Sequence, residues 1–159
     1  GQGPGDMVEG LAYTGARVGE ARRMIWAHID EERGLVTIPG EKTESAPRTN
    51  PMTPAFRDLI QRMKARREHR QVDPLFEVQS VLGSLRASCQ RLGIPKIDHH
   101  DLRHLFATTC IESGVDVLVV SNWLGHSDGG ALVLRTYGHL RPEHSTRAAK
   151  MVDFAPPAG

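Results

Sequence analysis

Apolar residues recur along this chain mostly at helical spacing, interrupted by one short region of strand-like runs. A spacing of three and four positions is typical of helices with one buried face. We therefore predict helices over 7–14, 18–27, about 54–70, 78–92, about 102–113, about 117–124, 131–138 and 142–151. Short strands are predicted around 27–30, 35–38 and 48–52, joined by a tight turn at 32–34 and a longer loop at 40–47.

Cap and stop residues divide these helices. Thr53-Pro54 is an N-cap followed by a proline at the first helical position. Asp101 and Asp116 are the predicted caps of the two helices that follow them, and the predicted stops are Gly15, Gly93, Gly114 and Gly125. The pattern predicts an α+β domain that is mainly α-helical, with a small three-stranded antiparallel sheet near its N-terminal end.

Composition narrows the class of protein. The chain has 159 residues, 39% apolar and 25% charged, which fits one globular domain and argues against overall disorder. No apolar run reaches the roughly 18 residues of a membrane span, so we expect no membrane partner. The start, residues 1–6, reads as a linker without signal-peptide features. Two cysteines are too few for a disulfide framework, which makes the cytoplasm the expected compartment.

The net charge of +1 at first argues against a nucleic-acid partner. The 20 basic residues include only 4 lysines, however, so 16 are arginines, the residue type suited to bidentate phosphate contacts. Basic residues also cluster in the segment 57–70, where six of them face two acidic ones. The global charge therefore neither supports nor excludes DNA.

The segment His99-His100-Asp101-Leu102-Arg103-His104 has the strongest local chemistry. His100 and Arg103 are three residues apart and share a helix face, and a helix N-terminus starting at Asp101 would add N–H groups and positive potential for an oxyanion. Two alternatives stay open. The residues could be ordinary surface groups near a cap, or His100 and His104 could bind zinc, although an HExxH glutamate is missing.

Four other features are weak when taken singly. Arg17 sits in a glycine-flanked turn with Glu20 three residues later, and Lys42 lies in the predicted hairpin loop. His126 directly follows a helix-ending glycine, and Tyr137 precedes Gly138-His139. Each has a plain structural interpretation: a surface arginine, a solvated lysine, a structural histidine and a core or interface tyrosine. A phenol with a pKa near 10 also needs nearby cations to act as a nucleophile.

The order of these features is more specific than any one of them. The strings TGARVGE, GEKT, HHDLRHLFAT, LGHSD and TYGH follow one another across about 120 residues. This arrangement resembles the catalytic domain of the tyrosine recombinases, the phage integrase family, from about residue 7 to residue 150. Residues 7–152 would form that domain and 153–159 a flexible tail, with the family's N-terminal core-binding and arm-binding domains absent.

The resemblance implies a role for each matching residue. Arg17 and Arg103 would clamp the scissile phosphate, Tyr137 would be the nucleophile, and Lys42 would protonate the leaving 5′ oxygen. His100 would assist proton transfer from the tyrosine and His126 would hydrogen-bond the phosphate. Glu20 would orient the first arginine, and His104 and His139 would have supporting roles.

The resemblance also implies a reaction and its partners. The expected function is site-specific DNA recombination of a phage or mobile element through a 3′-phosphotyrosyl intermediate, with no metal, ATP or other cofactor. Double-stranded DNA is the expected partner, bound by a homotetramer in a full-length protein, while this piece alone could be a monomer. A type IB topoisomerase-like nicking and closing enzyme and a catalytically silent DNA-binding fragment are the alternatives. The segment between His126 and Tyr137, with Gly129-Gly130, is slightly longer than expected for the family.

Overall fold

The computed structural model describes residues 3–41, 43, 45–78, 80–126, 128, 130–140 and 144–155. The helices are α1 (Pro4–Thr14), α2 (Val18–Arg22), α3 (Pro54–Arg66), α4 (Leu82–Leu92), α5 (His99–Glu112), α6 (Val117–Leu124), α7 (Ala131–Tyr137) and α8 (His144–Ala149). The strands are β1 (Ile29–Asp30), β2 (Leu35–Ile38) and β3 (Arg48–Pro51), and short 3-10 turns cover Trp26–His28 and Gly138–Leu140. Lys42, Gly129 and parts of the predicted linker, last helix and tail lie outside the described residues.

The sheet is the predicted three-stranded antiparallel one, in the order β1-β2-β3. Leu35 pairs with Pro51 and Ile38 with Arg48, so the long loop between these strands starts directly beside Arg48. Val36 and Ile38 alternate inward and are buried, as a half-buried strand requires. The predicted fold class, mainly α-helical with a small sheet, is confirmed.

Two apolar clusters hold the chain together. The larger one joins α1, α2, the sheet and α3, with Met7, Leu11, Ile38 and Phe56 among its fully buried members. The smaller one joins the second half of α5 to α6 and α7 through Phe106, Val120, Leu124 and Val133. Helix α1 packs against both α3 and α5, and so connects the two halves.

Four predicted helix boundaries differ from those in the structure. The predicted helix 18–27 ends at Arg22, because the backbone at 24–27 pairs with residues 71–75 instead: Trp26 N–H donates to Asp73 at 3.1 Å. Helix α3 ends at Arg66 rather than near residue 70, and α4 begins at Leu82 rather than at 78. Helix α1 begins at Pro4, within the predicted linker, where Asp6 is buried and pairs with Arg66 at 2.7 Å.

The basic run 57–70, on α3 and in the segment after it, is largely neutralised by ion pairs. Arg62 pairs with Glu9, Lys64 with Glu31, Arg67 with Glu77 and Arg70 with Asp73. The first two pairs tie α3 to α1 and to the turn after β1, and all four offset the local excess of positive charge. Among the described residues, no helix is both long enough and apolar enough to cross a bilayer.

Candidate active site

Arg103 lies at the centre of the candidate site. It projects from the second turn of α5 and reaches the ends of two other helices. Its Nη1 donates to the Gly15 carbonyl at 2.5 Å, and its Nη2 donates to the Leu124 carbonyl at 2.7 Å. Because both carbonyls terminate helices, the guanidinium satisfies oxygens that have no partner within their own helix.

Gly15 makes this close packing geometrically feasible. It ends α1 with φ +68°, a left-handed conformation that glycine adopts readily. A Cβ at this position would lie 2.5 Å from Phe106 and 2.8 Å from Leu124. The turn that carries Arg17 can therefore approach α5 and α6 only because residue 15 has no side chain.

Three positive groups lie close enough to influence one another. Burial lowers the pKa of Arg103 to about 10, and the positive charges of Arg17 and Arg48 act in the same direction. The guanidinium still carries its charge at neutral pH. Such a concentration of positive charge in a half-buried site favours an anionic ligand.

Glu20 organises the arginines on one side of the site. Its side chain is fully buried and accepts the Arg17 backbone N–H at 2.8 Å, while the Arg17 guanidinium lies 3.8 Å from it. Arg48 donates to both carboxylate oxygens, at 2.8 and 2.9 Å. Burial would raise the pKa of Glu20, but these hydrogen bonds outweigh burial and keep the pKa below its ordinary value. Glu20 therefore stays ionised inside the protein.

His126 follows the glycine that ends α6, and its Nε2 lies 3.2 Å from Nη2 of Arg103. Because arginine only donates, Nε2 must accept and Nδ1 carries the proton in neutral His126. Burial, and then the charge of Arg103, lower the pKa of His126. Its Nδ1 is buried without a hydrogen-bond partner among the described residues, which leaves one donor available for a ligand.

The lowered pKa of His126 predicts a pH-dependent stability. The unfolded histidine has a pKa near 6.5, so acid favours the unfolded chain, which binds the proton more readily. We expect the free energy of unfolding to be at its full value above about pH 6.5 and to fall as the pH drops through the folded-state pKa. His126→Gln, which keeps an acceptor for Arg103, should flatten this slope in urea unfolding between pH 7 and 5.

The matched control for the loss of one imidazole is His139→Gln, at an exposed position after α7, and its slope is the reference for that of His126→Gln. Burial also lowers the pKa of His28, so some slope should remain in the His126 variant. An unchanged slope in His126→Gln would contradict the proposed burial of this imidazole.

Tyr137 ends α7 and faces the same site. Its hydroxyl is hydrogen-bonded to Nδ1 of His104, with the two ring centroids 5.9 Å apart. Burial raises the pKa of Tyr137, and the positive charge of Arg103 partly offsets this effect. Tyr137, His104, His100, Arg103 and His126 line one cavity of about 160 Å³. The phenol is therefore held beside the cationic groups in its protonated form.

The start of α5 differs from the prediction. Asp98, not Asp101, is the N-cap, and the helix begins at His99. The Asp98 carboxylate accepts the backbone N–H groups of His100 and Asp101 at 2.8 and 3.1 Å, while Asp101 accepts the N–H of Asp98. The helix N-terminus is therefore already occupied by an internal carboxylate. The expected contribution of its N–H groups to anion binding is wrong, and the positive charge of the site comes from side chains.

The remaining predicted residues fall in different places. His100 is exposed at the cavity, while His139 is exposed in the turn after α7 and does not line the cavity. Lys42 lies outside the described residues, but its neighbours Glu41 and Thr43 line a second cavity, of about 890 Å³, together with His126.

Within the described part of the chain, no group of three or more His, Cys, Asp or Glu side chains is arranged to hold a metal ion.

Sequence reasoning missed two contributions to this site. Arg48 was not singled out, because its contacts with Glu20 and with α6 join segments 28 and 75 residues away and leave no local pattern. His104 was given only a supporting role, although it is the histidine that contacts the Tyr137 hydroxyl. Its spacing of one residue from Arg103 gave no reason to expect a contact with α7.

Comparisons with known proteins identify the family of this chain. The model of the phage integrase family matches residues 6–144, and the chain belongs to this family. The tyrosine recombinase XerD of Corynebacterium glutamicum is 33% identical over 145 residues, which cover 84% of this chain and 47% of that protein. The chain thus spans about half the length of such relatives.

Solved structures share the fold. The catalytic domain of bacteriophage HP1 integrase superposes with a TM-score of 0.71 at 25% identity, covering 98% of this chain and 85% of that one. The Tn1549 transposon integrase, solved in complex with transposon right end DNA, gives a TM-score of 0.69 at 19% identity, covering 91% and 57%.

Proposed function

We propose that this chain is the catalytic part of a site-specific DNA recombinase that cleaves and rejoins strands through a 3′-phosphotyrosyl intermediate. The observation that carries the proposal is the single cavity shared by Tyr137, Arg103 and His126. This cavity brings together a nucleophile, a fixed positive charge and a hydrogen-bond donor that has no partner among the described residues. Its volume is suited to one phosphate. Family membership supports the same chemistry.

The proposed reaction exchanges one ester for another. The Tyr137 oxygen attacks the scissile phosphorus, the bond from phosphorus to the 5′ oxygen breaks, and the 3′ phosphate stays on the tyrosine. The leaving 5′ oxygen takes a proton, a role we assign to Lys42 by the family resemblance. A second 5′ hydroxyl then attacks the phosphotyrosine and restores both the phosphodiester and the phenol. No water, metal or nucleotide enters this balance.

The transition state of this reaction concentrates negative charge on the phosphate. By the family resemblance we assign Arg17 and Arg103 to its non-bridging oxygens, while His126 supplies Nδ1–H. Arg103 is held by the carbonyls of Gly15 and Leu124, so its position does not have to be created when the phosphate arrives. Such preorganisation lowers the barrier without a reorganisation cost.

Double-stranded DNA is the proposed partner. The Tn1549 integrase, which shares this fold, was solved with DNA, and a phosphodiester is the substrate that the cationic cavity would accept. We further propose that a full-length protein acts as a homotetramer on DNA in the cytoplasm, in integration or related exchanges of a phage or mobile element.

The proton of Tyr137 must leave before or during attack, and two histidines are candidates. The described structure places His104, rather than His100, in contact with the hydroxyl. We expect His104→Gln, which keeps a hydrogen-bonding group but cannot take the proton, to lower the cleavage rate by about 100-fold. His100→Gln should lower it less. Single-turnover cleavage at several pH values measures both, and a larger loss in His100→Gln would return the proton-transfer role to His100.

The function itself is tested by trapping the covalent complex. The substrate is a library of duplexes with randomised core sequences, each with a nick close to the cleavage site. After cleavage, the short fragment beside the nick diffuses away, so no 5′ hydroxyl remains nearby to reverse the phosphotyrosyl bond. The proposal expects a DNA-protein adduct that survives denaturing electrophoresis, and sequencing of the adduct then gives the preferred site. Release of free 3′-phosphate ends without an adduct would mean hydrolysis instead.

A further inference from the structure

All three nitrogen atoms of the Arg48 guanidinium donate hydrogen bonds within the protein. It begins β3, and its side chain is only 9% exposed. Nη1 and Nη2 donate to the two oxygens of Glu20 at 2.8 and 2.9 Å. On the other side, Nε donates to the Trp123 carbonyl at 2.7 Å. One side chain therefore joins α2 to the end of α6.

The turn after α6 also rests directly on this guanidinium. A Cβ on Gly125 would lie 2.8 Å from Nη1 and 3.0 Å from Cζ of Arg48, so a side chain there would displace the guanidinium. Asn50, two residues along β3, donates to the same Trp123 carbonyl at 3.0 Å. Strand β3 thus fixes the turn that presents His126.

The charge of Arg48 has a second consequence, at Glu20. This carboxylate lies 3.8 Å from the Arg17 guanidinium and is fully buried. While Arg48 occupies both carboxylate oxygens, the charge of Glu20 is balanced within the protein. Arg17 already forms a long ion pair with this carboxylate. Without Arg48, Arg17 would be its main charge partner, and the buried carboxylate would draw the guanidinium into a closer contact.

We propose that Arg48 is a positioning residue for the strand-transfer reaction, holding the Trp123 carbonyl and Glu20 so that His126 and Arg17 both face the phosphate. This inference rests on the proposed function of the site. It differs from a purely structural role, because the damage caused by removing Arg48 depends on the carboxylate of Glu20.

The first test compares rates on the duplex that the unmodified chain cleaves best. We expect Arg48→Gln to lower the single-turnover rate at saturating DNA by about 100-fold and Arg48→Lys by about 10-fold, since one ammonium cannot replace three fixed N–H groups. The DNA dissociation constant should change by less than about 3-fold, because the groups that Arg48 positions act mainly in the transition state. Circular dichroism establishes the folded fraction used in each assay.

Arg66→Gln is the matched control, since Arg66 also pairs with a buried carboxylate, Asp6, on a part of the fold away from the cavity. It should leave the rate of the folded protein unchanged. Full activity in Arg48→Lys would reduce the role of Arg48 to charge alone. Equal reductions in the Arg48 and Arg66 variants would make it a general stability effect, and either result overturns the proposal.

The decisive arm is a double variant. In Glu20→Gln/Arg48→Gln no buried carboxylate remains to capture Arg17, so the double variant should cleave about 10-fold faster than Arg48→Gln. If Arg48 had a purely structural role, the effects of the two substitutions would add, and the double variant would cleave more slowly than Arg48→Gln. If Arg48→Gln does not fold, the same comparison with Arg48→Lys and Glu20→Gln/Arg48→Lys carries the test.

A DNA-free measurement separates this inference from the proposed function. The NMR signal of Arg17 Nε–Hε should shift and exchange more slowly with water in Arg48→Gln, because Arg17 then pairs more closely with Glu20. It should return toward its original position in the double variant. An unmoved signal overturns the positioning role even if no covalent adduct ever forms. Absence of an adduct in the unmodified chain, with the NMR shift present, would instead count against the proposed function.

Discussion

Replacing Arg103 with lysine is expected to reduce DNA cleavage by about 1000-fold while leaving DNA binding within about 10-fold. The loss of one preorganised donor to a developing oxyanion typically costs about 100- to 1000-fold, and a single ammonium cannot both fill the internal contacts of the Arg103 guanidinium and face the phosphate. Its Nη1 and Nη2 are also fixed by the Gly15 and Leu124 carbonyls, so lysine would leave these helix ends without their partner.

Single-turnover cleavage and equilibrium DNA binding measure the two quantities separately. Arg86→Lys, on the exposed face of α4, is the matched control and should behave like the unmodified chain. Equal reductions in cleavage and in binding would make Arg103 a simple phosphate anchor in the ground state, contrary to its proposed role in the transition state.

Tyr137→Phe is expected to abolish the covalent adduct completely. The change removes one oxygen, the proposed nucleophile, and leaves the ring that packs beside the smaller core cluster. The loss of the hydrogen bond to His104 should have little effect on stability, because such bonds contribute about 1 kcal/mol net. DNA binding should therefore persist while chemistry stops.

The chain offers one matched control for this change, because its only other tyrosine is Tyr13. Tyr13 packs against the larger core cluster and does not line the cavity. Tyr13→Phe should form the adduct normally in the same suicide-substrate assay. An adduct that survives in Tyr137→Phe would mean that the nucleophile is misassigned.

Local rules predicted much of this fold. Thr53 caps α3 by accepting the Phe56 N–H, Asp116 caps α6, and Gly125 ends it in the left-handed conformation. These signals act within one helical turn, so they can be read from neighbouring residues. The sheet was predictable for the same reason, since alternation and turn residues are local patterns.

Two features were not predictable in this way, the first because two local signals compete and the second because it depends on long-range contacts. Asp98 and Asp101 are both good caps, and the capping box that they form together made the earlier residue the start of α5. The predicted helix 18–27 was broken by backbone pairing with residues 71–75, about 50 positions away. Intrinsic propensity gives way where tertiary hydrogen bonds compete for the same groups.

The candidate site shows the same division. The order of the motifs identified Arg103, His126 and Tyr137, which the structure brings to one cavity. The contacts of Arg48 with Glu20 could not be predicted from the sequence, because a salt bridge between β3 and α2 leaves no periodic pattern of residues. The ion pairs of the basic residues on α3 with carboxylates of α1 and a nearby turn were equally hidden, because they join segments distant in the sequence.

The most direct test of the central claim is the identity of the residue that carries the DNA. The adduct formed on the nicked duplex can be digested with nuclease and protease, and the modified peptide sequenced by tandem mass spectrometry. We predict a nucleotide joined through its 3′ phosphate to the phenolic oxygen of Tyr137. Modification of any other side chain, or attachment through a 5′ phosphate, would contradict the account.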